Sequence, residues 1–455
     1  MTAYLLERAW VDGAVHDDVL VEIEAGRFTK VELVRESSHL SGVATPDMRR
    51  NTRIAGYSDR LPGLTIPGLA NCHSHAFHRA LRGLTQRGRG TFWTWREQMY
   101  AAASALDPDR YFALARATYR EMAAAGITSV GEFHYLHHQP DGTPYTDPNA
   151  MGQAMIQAAR EAGIRIALLD ACYLSSGFGE PPQGVQTRFS DGTAEAWAQR
   201  VAGLKGDDDV VVGAAVHSVR AVPDDELRTV VDAAAGRPLH VHLSEQPAEN
   251  DACIAAYGAT PTQLLADHGV LGPQTSAVHA THLTDDDIGH LGTTRTYACF
   301  CPTTERDLGD GVGPSRALHD AGSPLTLGSD SHAVIDLFEE MRAVELDERL
   351  ATWQRGHWTA AELLTAATTA GHASLGFPDA GAIAVGQRAD LVTLATDTTR
   401  TAGTGADEHT AVFAASAADV VQTMVGGRVV FRADDRAEIG RELGAAIAAL
   451  KGTDG

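Results

Sequence analysis

Basic side chains are scarce in this chain, and thiols scarcer still. Its 455 residues hold 37 lysines and arginines against 59 aspartates and glutamates, a formal net charge of −22. Such a surface repels nucleic acid and anionic membranes, so neither is an expected partner. The five cysteines (Cys72, Cys172, Cys253, Cys299, Cys301) are odd in number and lack CxxC spacing. That argues against a disulfide framework and against a thiolate zinc site. No window is long and apolar enough to span a bilayer, and Glu7 and Arg8 interrupt the stretch where a signal peptide needs an apolar run. A cytoplasmic location is expected. With 44% hydrophobic and 21% charged residues the composition is that of a globular protein, and disordered or collagen-like readings drop out. The length suffices for a large barrel with a smaller module.

What the chain does contain is a regular alternation of short apolar runs and helical patterns. LTIPGLAN (64–71), ITSVGEFH (127–134), RIALLDACYL (165–174), VVVGAAVH (210–217), PLHVHL (238–243), SAVHAT (276–281), TYACFC (296–301) and PLTLGS (324–329) read as eight buried strands. Between the first two, DPDRYFALARATYREMAAAG has Asp107 to cap a helix, Pro108 for its first turn and Gly126 as a left-handed stop. Eight strands alternating with helices over residues 66–380 predict an α/β fold, a (β/α)8 barrel. Residues 1–65 and 381–455 carry further short β-like runs, which most simply pair into one small β-sandwich, with a terminal helix at 438–450.

Polar residues gather where the eight runs end: His73 and His75, Tyr135, Ser218 and Arg220, His242 and Glu245, His279 and His282, Thr303 to Glu305, and Asp330. In a barrel those ends share one mouth, so the layout is that of an active site. In a strand, His73 and His75 share a face while Ser74 points away. Neutral imidazoles and a carboxylate are what a catalytic zinc prefers, and His242 and Asp330 can complete a set with the two histidines. An isolated His-x-His pair is usually polar surface or a satisfied core pair. His-x-His at the first strand, a histidine at the fifth, another at the sixth and an aspartate at the eighth are far more specific.

The constellation resembles the amidohydrolase superfamily in HSH (73–75), HVHLSE (240–245), VHATH (278–282), GSDSH (328–332) and the tail GAIAVGQRADLV. The resemblance covers essentially the whole chain and implies a barrel of the amidohydrolase type. Some members hold two metals bridged by a carboxylated lysine on the fourth strand. The only lysines here are Lys30, Lys205 and Lys451, so one divalent ion, Zn2+ by preference, is implied at His73, His75, His242 and Asp330. Asp330 can then accept a proton from the attacking water, Glu245 move one to a leaving nitrogen, and His279 orient or polarise the attacked centre.

HSHAFHRAL, FWTWREQMY (92–100), GEFHYLHH (131–138) and HSVRAV (217–222) further resemble the formimidoylglutamate deiminases of histidine degradation. By that resemblance His78, Arg96, Tyr135, His217 and Arg220 bind a dicarboxylate substrate, and a homodimer is implied. Guanidinium forks suit carboxylates. The chain departs from the family pattern at His78, where a glutamine is common, and an imidazole differs from an amide in reach and tautomer. Deamination of a heterocycle such as guanine or cytosine is the nearest alternative. A catalytically silent scaffold is a more distant one.

Overall fold

The computed structural model describes residues 1–34, 59–87, 89 and 92–451. The part of the expected N-terminal β segment at 35–58 and the last four positions lie outside the described residues. Fifteen strands are described: β1 Thr2–Val11, β2 Ala14–Glu24, β3 Arg27–Leu33, β4 Asp59–Pro67, β5 Leu69–Ser74, β6 Ile127–His134, β7 Arg165–Cys172, β8 Val210–Val216, β9 Leu239–Leu243, β10 Thr275–His279, β11 Tyr297–Phe300, β12 Leu325–Leu327, β13 Leu391–Leu394, β14 Val420–Val425 and β15 Arg428–Arg432.

Strands β5 to β12 pair in sequence order as a parallel eight-stranded sheet with helices between them. A bridge between Ser74 and Asp330 joins its two ends, and His73 O accepts from the backbone N–H groups of Ser329 and Asp330. The expected (β/α)8 barrel is therefore formed. At the closing seam Gly328 carries no Cβ where one would lie 2.7 Å from His73 Cβ and 2.9 Å from Cys301 Sγ, so only glycine permits so close an approach. The helix Pro108–Ala124 begins as its sequence requires: Asp107 accepts from Arg110 N at 2.8 Å, and Gly126 follows at φ +85°.

The chain ends supply the small β unit, as one sheet of order β15-β14-β13-β4-β1-β2-β3. The N-terminal and C-terminal segments meet where β4 pairs with β13. Leu6, Val19, Val21, Phe28, Leu61, Leu391 and Met424 share its own apolar cluster. The final helix, Arg436–Lys451, lies instead on the barrel helix Pro108–Ala124, with Arg120 paired to Glu438 and Glu442.

One expected strand is corrected. The run 64–71 belongs to two sheets: residues 64–67 finish β4 of the small unit, and the first barrel strand starts at Leu69 and runs to Ser74. Proline at 67 offers no N–H to a ladder. A side chain at Gly68 would collide with Thr128 and Asp390, and Gly68 N donates to Asp390 O. The apolar run is unbroken because both strands are buried, so the change of sheet leaves no periodic signal. Among the described residues no helix is long and apolar enough to cross a membrane.

Candidate active site

At the carboxyl ends of the barrel strands one cavity is lined by His75, His78, Arg96, Tyr135, His217, Arg220, His242, Glu245, His279 and Asp330. His73 sits just behind this wall, fully buried. Every residue given a catalytic, ligand or substrate-binding role from the sequence is thus brought to one place, by six strand ends and one helix, Phe92–Ser104, which delivers Arg96, whereas His282, Thr303 and Thr304 do not line the cavity. Lys205, by contrast, is exposed in the loop before β8.

Ligand atoms of His73, His75, His242 and Asp330 all lie within 4.8 Å of one another. His75 Nδ1 is 3.0 Å from Phe133 O, and His242 Nδ1 is 2.8 Å from His217 O. A carbonyl can only accept, so both rings carry their hydrogen on Nδ1 and turn a lone pair inward at Nε2. His75 Nε2 then faces Asp330 Oδ1 at 3.3 Å, and His242 Nε2 faces His73 Nε2 at 3.1 Å. His73 Nε2 is also 3.3 Å from Asp330 Oδ1. The lone pairs of His75 Nε2 and Asp330 Oδ1 face each other and repel unless a cation lies between them, and three imidazoles with one carboxylate match a divalent ion such as zinc. Burial holds His75 and His242 well below the ordinary imidazole range, which keeps them neutral as ligands must be. Asp330 moves the other way: burial opposes its charge, but His73, His279 and His75 outweigh that and hold it ionised.

His279 sits across from this cluster. Its Nδ1 is 3.3 Å from Glu305 Oε1, and its Nε2 lies 3.9 Å from Glu245 and 3.8 Å from Asp330. Burial disfavours its charged form, yet Glu245, Glu305 and Asp330 together raise its pKa well above the ordinary value. An imidazolium anchored by Glu305 presents Nε2–H to the cavity. Several residues here have positive φ without being glycine: Ser244 (50°), His279 (69°), Asp330 (38°) and His332 (57°). Such strain persists only where surrounding contacts over-determine it, and it concentrates at working sites.

The other wall is aromatic and cationic. Arg96 Nε donates to Tyr100 OH at 2.6 Å, and Gln186 Nε2 reaches the hydroxyls of both Tyr100 and Tyr173. Arg220 Nε is 3.1 Å from the buried carboxylate of Glu249. His78 Nε2 is 3.1 Å from Tyr135 OH, and burial lowers the His78 pKa to about 3, so it acts as a neutral donor or acceptor. Sequence reasoning gave Glu305 no task and passed over Tyr100, Tyr173, Gln186 and Glu249. Tyr100 had a signal, since it lies one helical turn beyond Arg96. Glu305 and Glu249 are single carboxylates whose partners stand 26 and 29 residues away, and nothing in the chain connects them.

Comparison with known proteins places these motifs. The amidohydrolase family model matches residues 64–430. A formimidoylglutamate deiminase from Pseudomonas aeruginosa is 36% identical over 394 residues, which cover 82% of this chain and 86% of that protein. An 8-oxoguanine deaminase from the same species is 29% identical over 403 residues, 85% of each. Among solved structures, an amidohydrolase from Brucella melitensis superposes with a TM-score of 0.87 at 31% identity, covering 99% of this chain and 100% of that one.

Proposed function

The chain belongs to the amidohydrolase family, and from that premise we propose that it is a metal-dependent deiminase converting N-formimidoyl-L-glutamate and water to N-formyl-L-glutamate and ammonia. The observation that carries the substrate is the pair Arg96 and Arg220 in the same cavity as Glu245, His279 and the ligand cluster. In a protein of net charge −22, two guanidiniums at one mouth are a local anion site. Each is held through Nε by a fixed partner, Tyr100 or Glu249. Holding a guanidinium in place lowers the entropy lost when it grips a carboxylate.

His73, His75, His242 and Asp330 would hold one divalent ion, Zn2+ by preference, which supplies Lewis acidity and makes water a usable nucleophile near neutral pH. The residues do the rest. Tyr135, His217 and the two arginines fix the glutamate part, so that the formimidoyl carbon lies over the ligand cluster. Asp330, kept ionised, accepts a proton as water adds to that carbon. The new C–O bond makes the carbon tetrahedral, and His279 Nε2–H donates to the oxygen as charge develops there. Glu245 carries one of the water's protons to the terminal nitrogen, and Asp330 passes on the other. The terminal C–N bond then breaks. Both protons of the water end on the departing ammonia, and the oxygen stays as the formyl carbonyl.

A second reading has its own support. Tyr135, Tyr173 and Phe189 line the cavity, and a flat aminated heterocycle could stack there, in line with the 8-oxoguanine deaminase relative. An ammonia-release screen separates the two. The proposed enzyme turns over formimidoylglutamate far faster than 8-oxoguanine, guanine or cytosine. Release from a heterocycle alone would replace it with the second reading.

A further inference from the structure

Ser74 and His332 belong to the two motifs that supply metal ligands, HSH and GSDSH, yet both side chains are fully buried and neither lines the cavity. We infer that Asn71, Ser329, His332, Ser74 and Glu132 form a single hydrogen-bond chain of fixed direction that positions His73, His75 and Asp330 across the seam where the barrel closes. The inference rests on the reading of those residues as a metal centre.

The direction is set at one end. Ser329 N–H donates to Asn71 Oδ1 at 2.9 Å, which orients the amide and turns its Nδ2 hydrogens to Ser329 Oγ at 2.7 Å. Ser329 must therefore send its own hydroxyl hydrogen to His332 Nδ1, 3.0 Å away. With Nδ1 accepting, the His332 hydrogen sits on Nε2 and donates to Ser74 Oγ at 3.1 Å. Ser74 in turn donates to Glu132 Oε2 at 2.7 Å, and Glu132 Oε1 accepts from Ala76 N at 2.7 Å. All these side chains are buried, where an unmade hydrogen bond is costly, so reversing any link would leave a hydrogen without an acceptor.

The chain brackets the ligands one by one. His73 lies between Asn71 and Ser74, His75 between Ser74 and Ala76, and Asp330 between Ser329 and His332. Glu132 on β6 thus holds the residues on both sides of His75, through the Ser74 hydroxyl and the Ala76 N–H. Ser329 and His332 brace the left-handed turn at Asp330. Loss of a link loosens ligands that it does not touch.

The test is zinc affinity of the metal-free protein, measured by competition with a chromophoric chelator, for wild type, Ser74→Ala, His332→Phe and the double variant. Each single change should weaken zinc binding by roughly 10- to 100-fold, the range for groups that orient metal ligands. The double should lose no more than the worse single, because one chain is cut in both. A role confined to stability would lower the melting temperature of the metal-free protein and leave the affinity of its folded form unchanged. Wild type that binds no zinc would remove the metal-centre reading itself. Wild type that binds, with single variants within twofold of it or with losses that multiply in the double, would overturn the chain. Nitrogen-15 spectra of wild type give a check that needs no variant to fold: His332 should be the Nε2–H tautomer, and the Nδ1–H tautomer would overturn the proposal.

Discussion

Two buried groups of histidine and aspartate lie side by side in this barrel, and chemistry separates them. His73, His75, His242 and Asp330 are one; His134, His137 and Asp170 are the other. By residue type either could hold a metal. In the second group, however, Asp170 already accepts from Trp197 Nε1 at 3.0 Å and from Arg200 Nη1 and Nη2 at 3.0 and 2.8 Å, and His137 Nε2 lies 2.9 Å from Ala171 O. Arg200 goes on to Asp191, which also faces His138 at 3.1 Å. A cation placed there would meet a guanidinium. In the first group His75 Nε2 faces Asp330 Oδ1 and His242 Nε2 faces His73 Nε2, and among the described residues no guanidinium is paired with Asp330. What a carboxylate and an imidazole are already bonded to decides whether they bind metal or brace the fold.

That contrast can be broken most sharply by paired alanine variants. His242→Ala should strip most of the metal and, with it, nearly all turnover. His137→Ala should unfold at lower temperature yet keep its metal and most of its kcat, as metal analysis and a thermal melt on the same samples would show. Beside the first group, Glu245→Gln keeps its shape but carries no proton, so kcat should fall by at least ~10²-fold with metal retained. A near-normal rate would mean that another group carries the proton. Next come the substrate anchors. On the proposed reading Arg96→Met and Arg220→Met would each leave a substrate carboxylate unpaired, and kcat/KM for formimidoylglutamate should drop by roughly 10²-fold. Metal content should not change. Formimidoylaspartate, one methylene shorter, should be the poorer substrate of wild type. Losses below about threefold in both variants would detach the arginines from specificity.

The second group should respond to acid instead. Burial opposes the charge of Asp170, but Arg200 and His137 outweigh it and its pKa lies below the ordinary aspartate value. Its contribution to stability is therefore complete above the unfolded value of about 4 and is lost as the pH falls through the lower folded value. Urea midpoints across that range should fall more steeply for wild type than for Asp170→Asn. The smallest effect is expected for Trp197→Phe, which removes one donor to Asp170, about 1 kcal/mol of stability with kcat unchanged.

The same contrast explains how far the chain could be read without a structure. Parallel strands buried on both faces are continuous apolar runs, so seven of the eight barrel strands stand out, and ligands at their ends follow from the shared mouth. The first run misleads because β4 and β5 are equally buried on either side of Gly68. GEFHYLHH shows the limit for the site. Its Tyr135 faces the cavity, while His134 and His137 turn to the bracing group, and the strand period cannot say which histidines end beside Asp170, a carboxylate that Arg200 already occupies. The tasks of Glu305 and Glu132 were hidden for the same reason: each acts on a segment that only the closed barrel brings near it.

The central claim is that the mouth cluster alone is a metal centre. The most direct measurement is the number of divalent metal equivalents per chain in purified wild type, taken together with the same count for His137→Ala. The account predicts close to one in both. Two equivalents in wild type, falling to one in His137→Ala, would contradict it.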